Sequence, residues 1–225
     1  QVGKIAELAS GFGGAVGAWK RFGADRLGWE DEAIQEKVDG WRDQHPMIAG
    51  VRDPEAGYRK GGLWRSLELA AKRAVEDPGH DFSYRDLTFR CDGAWLTMQL
   101  PSGRLLHYFR PRLEQGEYGP ELRYEAYRQV DTRKVWTTVR SYGGLLTENA
   151  VQATARDLLV HAMWNCIREG LSIVLHVHDE LLAEVDEEDA PAAKVLLTQC
   201  MEDLPTWAAG WPVKAETWTG KRYRK

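Results

Sequence analysis

Residues 175–181 read Leu-His-Val-His-Asp-Glu-Leu, and this stretch decides the predicted fold. Apolar residues alternate on both sides of the pair Asp179 and Glu180, which predicts two short strands, 172–178 and 181–185, joined by an acidic break. Two adjacent carboxylates repel each other unless a cation lies nearby. Because Mg²⁺ prefers one or two carboxylates together with water and phosphate oxygens, the tip of this hairpin is a candidate divalent-metal site, with a simple charged turn as the alternative.

Helices are predicted on both sides of the hairpin. Thr147 is a suitable N-cap, Glu148 suits the first turn of a helix, and Gly170 would end it. The apolar stripe of this helix consists of Val151, Ala155, Leu158, Leu159, Ala162 and Cys166. A second helix is predicted near 190–201 and a closing strand at 213–217. The sequence therefore predicts an α+β fold, with helices packed on one face of an antiparallel sheet.

The chain before residue 146 divides into a helical part and a strand-rich part. Apolar periodicity predicts helices at 1–10, 33–41 and 63–75, and short strands at 89–91, 94–98 and 105–109. We therefore divide the chain into a helical portion at 1–80, a strand-rich connecting region at 81–145 and an α+β portion at 146–225.

Composition and charge restrict the class of protein. The 225 residues carry a net charge of −4, and three scattered cysteines exclude a disulfide scaffold and favour a reducing, cytoplasmic setting. No apolar run approaches the roughly 20 residues that span a bilayer, so no membrane association is expected. Basic and aromatic residues interleave between residues 114 and 136, a pattern compatible with a nucleic-acid groove and also with a solvated hairpin.

Several motifs resemble one enzyme family. Residues 148–157, Glu-Asn-Ala-Val-Gln-Ala-Thr-Ala-Arg-Asp, followed by Val-His-Asp-Glu at 177–180, resemble the palm of the family A, bacterial polymerase I-like, DNA polymerases. The opening Gly-Lys-Ile-Ala-Glu-Leu-Ala-Ser-Gly-Phe-Gly-Gly at 3–14 resembles the nucleotide-binding fingers helix of that family. The segments Leu-Pro-Ser-Gly-Arg at 100–104 and Trp-Arg-x-x-His-Pro at 41–46 are similar to segments of its phage members. The resemblance implies fingers helices and a palm in which helices back an antiparallel sheet.

The resemblance also implies catalytic and nucleotide-binding roles. Asp179 matches a palm carboxylate that holds the catalytic Mg²⁺ ions, and Glu180 matches its acidic neighbour. Lys4 matches the fingers lysine that meets the triphosphate. Leu8 occupies the position of an aromatic ring close to the nucleotide sugar, and Phe12 matches an aromatic residue near the nascent base pair.

Three further residues match positions that contact DNA. Gln152 is implied to contact the minor groove, and His178 to lie near the primer terminus. Glu148 replaces an asparagine that often lies one turn before the glutamine. The implied partners are primer–template DNA and deoxynucleoside triphosphates, and the implied setting is the cytoplasm, of a bacterial host if the protein is phage-encoded.

The second metal-binding aspartate of the family lies in a motif upstream of the fingers helix, and residues 1–225 contain no such motif. We therefore expect two Mg²⁺ ions to be shared with an N-terminal polymerase polypeptide, either a partner chain or part of the same precursor. Without it, residues 1–225 are expected to be inactive.

Two other functions are compatible with these residues. One is a non-catalytic relative that binds primer–template DNA. The other is a zinc hydrolase that uses His176 and His178, since residues i and i+2 of a strand face the same side.

Overall fold

The computed structural model describes residues 2–55, 57–117 and 119–223. It has the predicted α+β class, and the chain divides into two compact units, residues 1–150 and 151–225. The division at residues 80 and 145 stays a prediction. Among the described residues, no helix combines the length and the apolar character needed to cross a membrane.

The first unit begins with helices that pack through short apolar faces. They are α1 (Val2–Ser10), α2 (Val16–Arg21), α3 (Asp31–Gln44), α4 (Pro46–Ala49) and α5 (Gly62–Glu76). Ile5 and Ala9 of α1 are buried against Trp19 of α2 and against Ile34 and Val38 of α3. In each long helix these residues are four positions apart, so they lie on one face. Two short antiparallel strands, β1 (Val51–Arg52) and β2 (Arg59–Lys60), lie between α4 and α5.

A six-stranded antiparallel sheet follows α5. Its strands are β3 (Asp81–Tyr84), β4 (Leu87–Asp92), β5 (Trp95–Gln99), β6 (Leu105–Gly116), β7 (Gly119–Val130) and β8 (Arg133–Arg140), and each pairs with the next along the chain. The inner face, which packs against α5, contains Phe89, Cys91, Leu96, Met98 and Tyr108. The short strands predicted near 89–109 are confirmed as β4, β5 and β6, whereas the alternation in β7 and β8 was too polar to predict.

Helix α6 (Gly143–Arg168) begins in the first unit and continues into the second. Thr147 is not its N-cap, because the helix begins four residues earlier and the Thr147 hydroxyl donates to the carbonyl oxygen of Gly143 at 2.8 Å. Gly143 and Gly144 permit this start, since a Cβ at either position would overlap backbone atoms of Trp64 or Phe12.

The second unit packs the end of α6 against the predicted hairpin and a further helix. The strands are β9 (Ile173–Val177) and β10 (Glu180–Ala183), and the helix is α7 (Ala190–Glu202). The core consists of Leu159, Ala162, Cys166, Leu171, Leu181 and Cys200.

Two predictions within the second unit were wrong. Val151 is 51% exposed and Ala155 is also exposed, because the buried face of α6 passes through Thr154 instead. Residues 213–217 form no strand. The Ala215 N–H donates to the Glu202 carboxylate at the end of α7, at 3.0 Å, which satisfies it without a strand partner.

Candidate functional site

The tip of the β9–β10 hairpin carries the predicted metal-binding residue. Val177 pairs with Glu180, so His178 and Asp179 alone form the turn. His178 has φ of 51°, in the left-handed region, and two-residue hairpin turns require such a value at their first position. Histidine is among the residues that tolerate it best after glycine. Both turn residues are exposed, and within the described part of the chain the Asp179 carboxylate has no hydrogen-bond or ion-pair partner.

Glu180 differs from its neighbour because it is held by the C-terminal segment. The Tyr223 hydroxyl donates to Oε2 of Glu180 at 2.6 Å, and Glu180 is half-buried. This hydrogen bond raises the pKa of the Tyr223 phenol. Sequence reasoning missed Tyr223, because no local pattern links it to a residue 43 positions earlier.

Strand β9 and helix α6 meet beside the hairpin tip. Nη1 of Arg156 and Nδ1 of His176 are 3.3 Å apart. Because a guanidinium can only donate, Nδ1 of His176 is the acceptor and carries no proton in this contact. Gln152 lies one turn before Arg156 on α6 and is exposed. The second unit therefore contains Gln152, His178, Asp179 and Glu180, four of the predicted site residues.

Helix α1 carries two of the three predicted nucleotide-binding residues. Lys4 and Leu8 are exposed and four positions apart, so they share a face that lies about 100° around the helix from the buried Ile5 and Ala9. Phe12 is half-buried in the turn that follows α1, so it does not continue the exposed face of the helix.

Glu148 is half-buried on α6, in the first unit. Its neighbour Asn149 donates from Nδ2 to the Tyr108 hydroxyl at 3.2 Å. Burial raises the pKa of Tyr108 well above its usual value, so this phenol stays protonated. Asn149 ties α6 to the sheet, a role that its sequence context did not indicate.

The side chains at the tip fit part of a magnesium site. The residues that the structure describes contain no group of three or more His, Cys, Asp or Glu side chains able to hold a metal ion. Mg²⁺ can be bound by one or two carboxylates together with water and phosphate oxygens, which Asp179 and Glu180 fit. A catalytic zinc ion takes three protein ligands, and His176 and His178 supply two at most.

Comparisons with known proteins agree with the motifs. The chain is 35% identical over 227 aligned positions to the DNA polymerase of Bacillus phage SP02, an alignment that covers 100% of this chain and 32% of the phage protein. It is 29% identical over 134 positions to the thermostable DNA polymerase I of Thermus filiformis, which covers 57% of this chain and 14% of that protein. The chain thus spans about a third, or less, of the length of these relatives. No protein-family model and no solved structure matches the chain. The predicted resemblance is confirmed: along its full length the chain is similar to part of a phage DNA polymerase, and over 57% of its length to part of a DNA polymerase I.

Proposed function

We propose that this chain supplies fingers and palm segments of a DNA-directed DNA polymerase, in which Asp179 binds the catalytic magnesium. Full-length similarity to a phage DNA polymerase supports the activity. The observation that carries the assignment of the site is the exposed Asp179 carboxylate in the two-residue turn, which no residue in the described part of the chain pairs with. Strand pairing fixes the position of such a turn, and a catalytic carboxylate requires a fixed position.

The bound Mg²⁺ ions would activate the primer hydroxyl and neutralise the charge that develops on the transferred phosphoryl group. Asp179 would hold an ion with an acceptor-only carboxylate that no other described side chain engages. Glu180, held by Tyr223, would keep a second negative charge beside it.

Nucleotide and DNA would be bound by the exposed helix faces. Lys4 offers a cation to the triphosphate, and Leu8, on the same face of α1, would contact the sugar. Phe12 is proposed to lie near the nascent base pair. The Gln152 amide both donates and accepts hydrogen bonds, as contact with minor-groove base edges requires, and His178 would lie near the primer terminus. Charge favours a DNA contact by Glu148 less than by the other residues, because a carboxylate repels phosphate unless a cation intervenes.

We further propose that a second carboxylate comes from an N-terminal polymerase polypeptide and that two Mg²⁺ ions are shared with it. Among the described residues, Asp179 and Glu180 are the only carboxylates at the tip. Phosphoryl transfer with two metal ions needs carboxylates on both sides of the two Mg²⁺ ions. Primer–template DNA and deoxynucleoside triphosphates are the proposed substrates. Residues 1–225 alone are then expected to bind DNA and to extend no primer.

The two other functions gain less support. A protein that only binds DNA gains nothing from an unpaired Asp179 next to phosphates, because the carboxylate repels them. The zinc hydrolase has two histidines, of which His176 already accepts a hydrogen bond from Arg156, and a third described ligand does not accompany them.

Primer extension with Mg²⁺ tests the proposal, using the polymerase that contains this chain together with its N-terminal polypeptide. We expect Asp179→Asn to lower the extension rate by roughly a hundredfold or more, because it removes a ligand of the ion that stabilises the transition state. Primer–template affinity should change by less than about threefold, since exposed contacts contribute little. Asp186→Asn, an exposed aspartate in the loop after β10, is the matched control and should extend normally.

Two results would contradict the proposal. Near-normal extension by Asp179→Asn would remove the magnesium assignment. Zinc-dependent hydrolysis by wild-type protein, lost in His178→Ala, would favour the hydrolase.

For α1, Lys4→Ala should raise the apparent KM for nucleotides more than it lowers kcat, with Lys4→Arg as the variant that keeps the charge.

A further inference from the structure

We propose that the outer face of the six-stranded sheet binds single-stranded nucleic acid, because strands β5 to β8 bring exposed aromatic rings into one contiguous row beside arginines. The row consists of Trp95, His107, Phe109, Tyr127 and Trp136, and we call it the aromatic face. This inference goes beyond the proposed polymerase function and does not depend on Asp179.

Ring contacts connect the aromatic face across four strands. The centroids of Trp95 in β5 and Phe109 in β6 are 4.8 Å apart, and Phe109 lies 6.0 Å from Trp136 in β8. Trp136 lies 4.9 Å from Tyr127 in β7, and His107 lies 5.8 Å from Trp95. These spacings are those of interacting aromatic pairs, so the rings form one surface.

Strand alternation places this surface away from α5. In β5 and β6 the buried residues are Leu96, Met98 and Tyr108, and successive side chains of a strand point to opposite faces. Trp95 and Phe109 therefore lie on the outer face. The register places rings of β7 and β8 on the same outer face. Phe109 pairs with Glu125 of β7. Tyr127 lies two residues after Glu125, and therefore on the same face, and it pairs with Trp136 of β8.

Four of the five residues of the aromatic face are exposed, and Phe109 is half-buried. Trp95 is 44% exposed, Trp136 is 47% exposed and Tyr127 is 68% exposed. Such large aromatic side chains usually bury most of their surface, so a contiguous exposed group of them indicates a binding surface.

The charge of this region complements a phosphate backbone. Counted over both faces of the sheet, residues 105–140 contain seven Arg and Lys against five Asp and Glu, whereas the whole chain has a net charge of −4. Arg112, Arg123 and Arg140 form ion pairs with Glu114 and Glu121. Arg110 stands at the break in register between β6 and β7, and its guanidinium lies 5.1 Å from the centre of the Phe109 ring. Its ion pair with the half-buried Glu125, which also accepts a hydrogen bond from Trp136, is long at 3.6 Å, and the Arg110 side chain itself is exposed, so it can exchange this contact for a phosphate.

Single strands fit this surface better than other partners. Exposed aromatic rings can stack only on bases that are not already paired and stacked in a duplex, and every base offers a flat face. A second copy of the chain would bring two regions of net positive charge together. Single-stranded DNA, with phosphates beside exposed bases, matches both the rings and the cations.

The binding of a fluorescein-labelled oligo(dT) of about 20 nucleotides tests the inference, by anisotropy with the 225-residue chain, without Mg²⁺ and without nucleotides. Loss of base–aromatic stacking corresponds to roughly fivefold or more per ring, so we expect Tyr127→Ala combined with Trp136→Ala to weaken binding at least about tenfold. Tyr127→Phe combined with Trp136→Phe should stay within about threefold of wild type, because rings remain. Trp164→Ala removes a tryptophan of α6 that is 56% exposed, and as the matched control it should bind normally.

A charge variant gives a second readout. Arg110 has φ of 47°, so Arg110→Gly removes the cation without straining the backbone. Its binding should depend less steeply on salt, with the logarithmic slope reduced by about 1.

Several outcomes would overturn the inference: equal affinity for oligo(dT) and for a blunt duplex, unchanged binding by the double alanine variant with a wild-type circular dichroism spectrum, or a wild-type dimer that the double variant abolishes. Asp179→Asn should bind oligo(dT) like wild type. A loss of primer extension and a loss of oligo(dT) binding are therefore separate results, the first testing the proposed function and the second testing the aromatic face.

Discussion

One methyl group at the start of α6 should destabilise the first unit strongly. A Cβ on Gly144 would lie 2.6 Å from the carbonyl carbon of Phe12 and closer still to its oxygen. Non-bonded carbons make contact at about 3.5 Å or more, so the two backbone segments would have to separate by about 1 Å. Overpacking of this kind costs about 1–3 kcal/mol, and because both partners are backbone, we expect Gly144→Ala to lie near 3 kcal/mol.

Gly40→Ala is the matched control with the opposite sign. Gly40 lies inside α3, and a Cβ there would meet no atom within 4 Å. Alanine in an open helix position stabilises by about 0.5–1 kcal/mol relative to glycine. Both glycines belong to the unit formed by residues 1–150, so the two variants report on the same unfolding step.

Urea unfolding followed by far-UV circular dichroism and tryptophan fluorescence measures both changes. We expect a lower midpoint for Gly144→Ala, a higher midpoint for Gly40→Ala and similar slopes. If Gly144→Ala cost less than about 1 kcal/mol, or raised the midpoint as Gly40→Ala should, the result would contradict the close approach of α6 to Phe12. Coincidence of the two probes is needed to treat the transition as two-state.

Three further predictions concern the second unit. The hydrogen bond to Glu180 raises the pKa of the Tyr223 phenol, so this contact should persist below the ordinary phenol pKa and be lost as pH rises through the raised pKa. Glu180→Ala should lower the Tyr223 pKa in an NMR titration. An unchanged Tyr223 pKa would contradict the contact. Burial raises the pKa of the Cys166 thiol to about 12, so alkylation at a pH near the ordinary thiol pKa of about 8.5 should fail in folded protein and succeed in urea. The stability that this neutral thiol contributes should be lost as pH rises above that ordinary pKa. Rapid alkylation of the folded protein would refute its burial. His178→Val should be about 1–2 kcal/mol less stable to urea than His178→Asn, because a β-branched residue resists the left-handed turn; equal stabilities would argue against the positive φ.

Local patterns predicted the hairpin and α1 because each depends on residues close together in sequence. Alternating apolar residues around Asp179 specify two strands, and Ile5 and Ala9 specify one face of a helix. The positions of the catalytic candidate and of the exposed Lys4 follow from these two periods alone.

Features that depend on distant contacts could not be predicted in this way. Gly143 and Gly144 suggest a break in sequence, yet they begin α6 because backbone from Phe12 and Trp64 packs where side chains would otherwise lie. The alternation at 213–217 suggested a strand, but the Ala215 N–H donates to the carboxylate of Glu202 in α7. In both places tertiary contacts override local propensity.

The two neighbouring acids at the hairpin tip are unequal, and this inequality supports different roles. The backbone of Glu180 pairs with Val177 in the hairpin, and its carboxylate accepts a hydrogen bond from Tyr223, so both its backbone and its side chain are held. Asp179 is fixed only through its backbone, and its carboxylate remains open to solvent. A ligand for a mobile cation must be held in position and still be free to exchange water for the ion. We therefore propose direct magnesium binding for Asp179, and for Glu180 the positioning of the turn and of its charge.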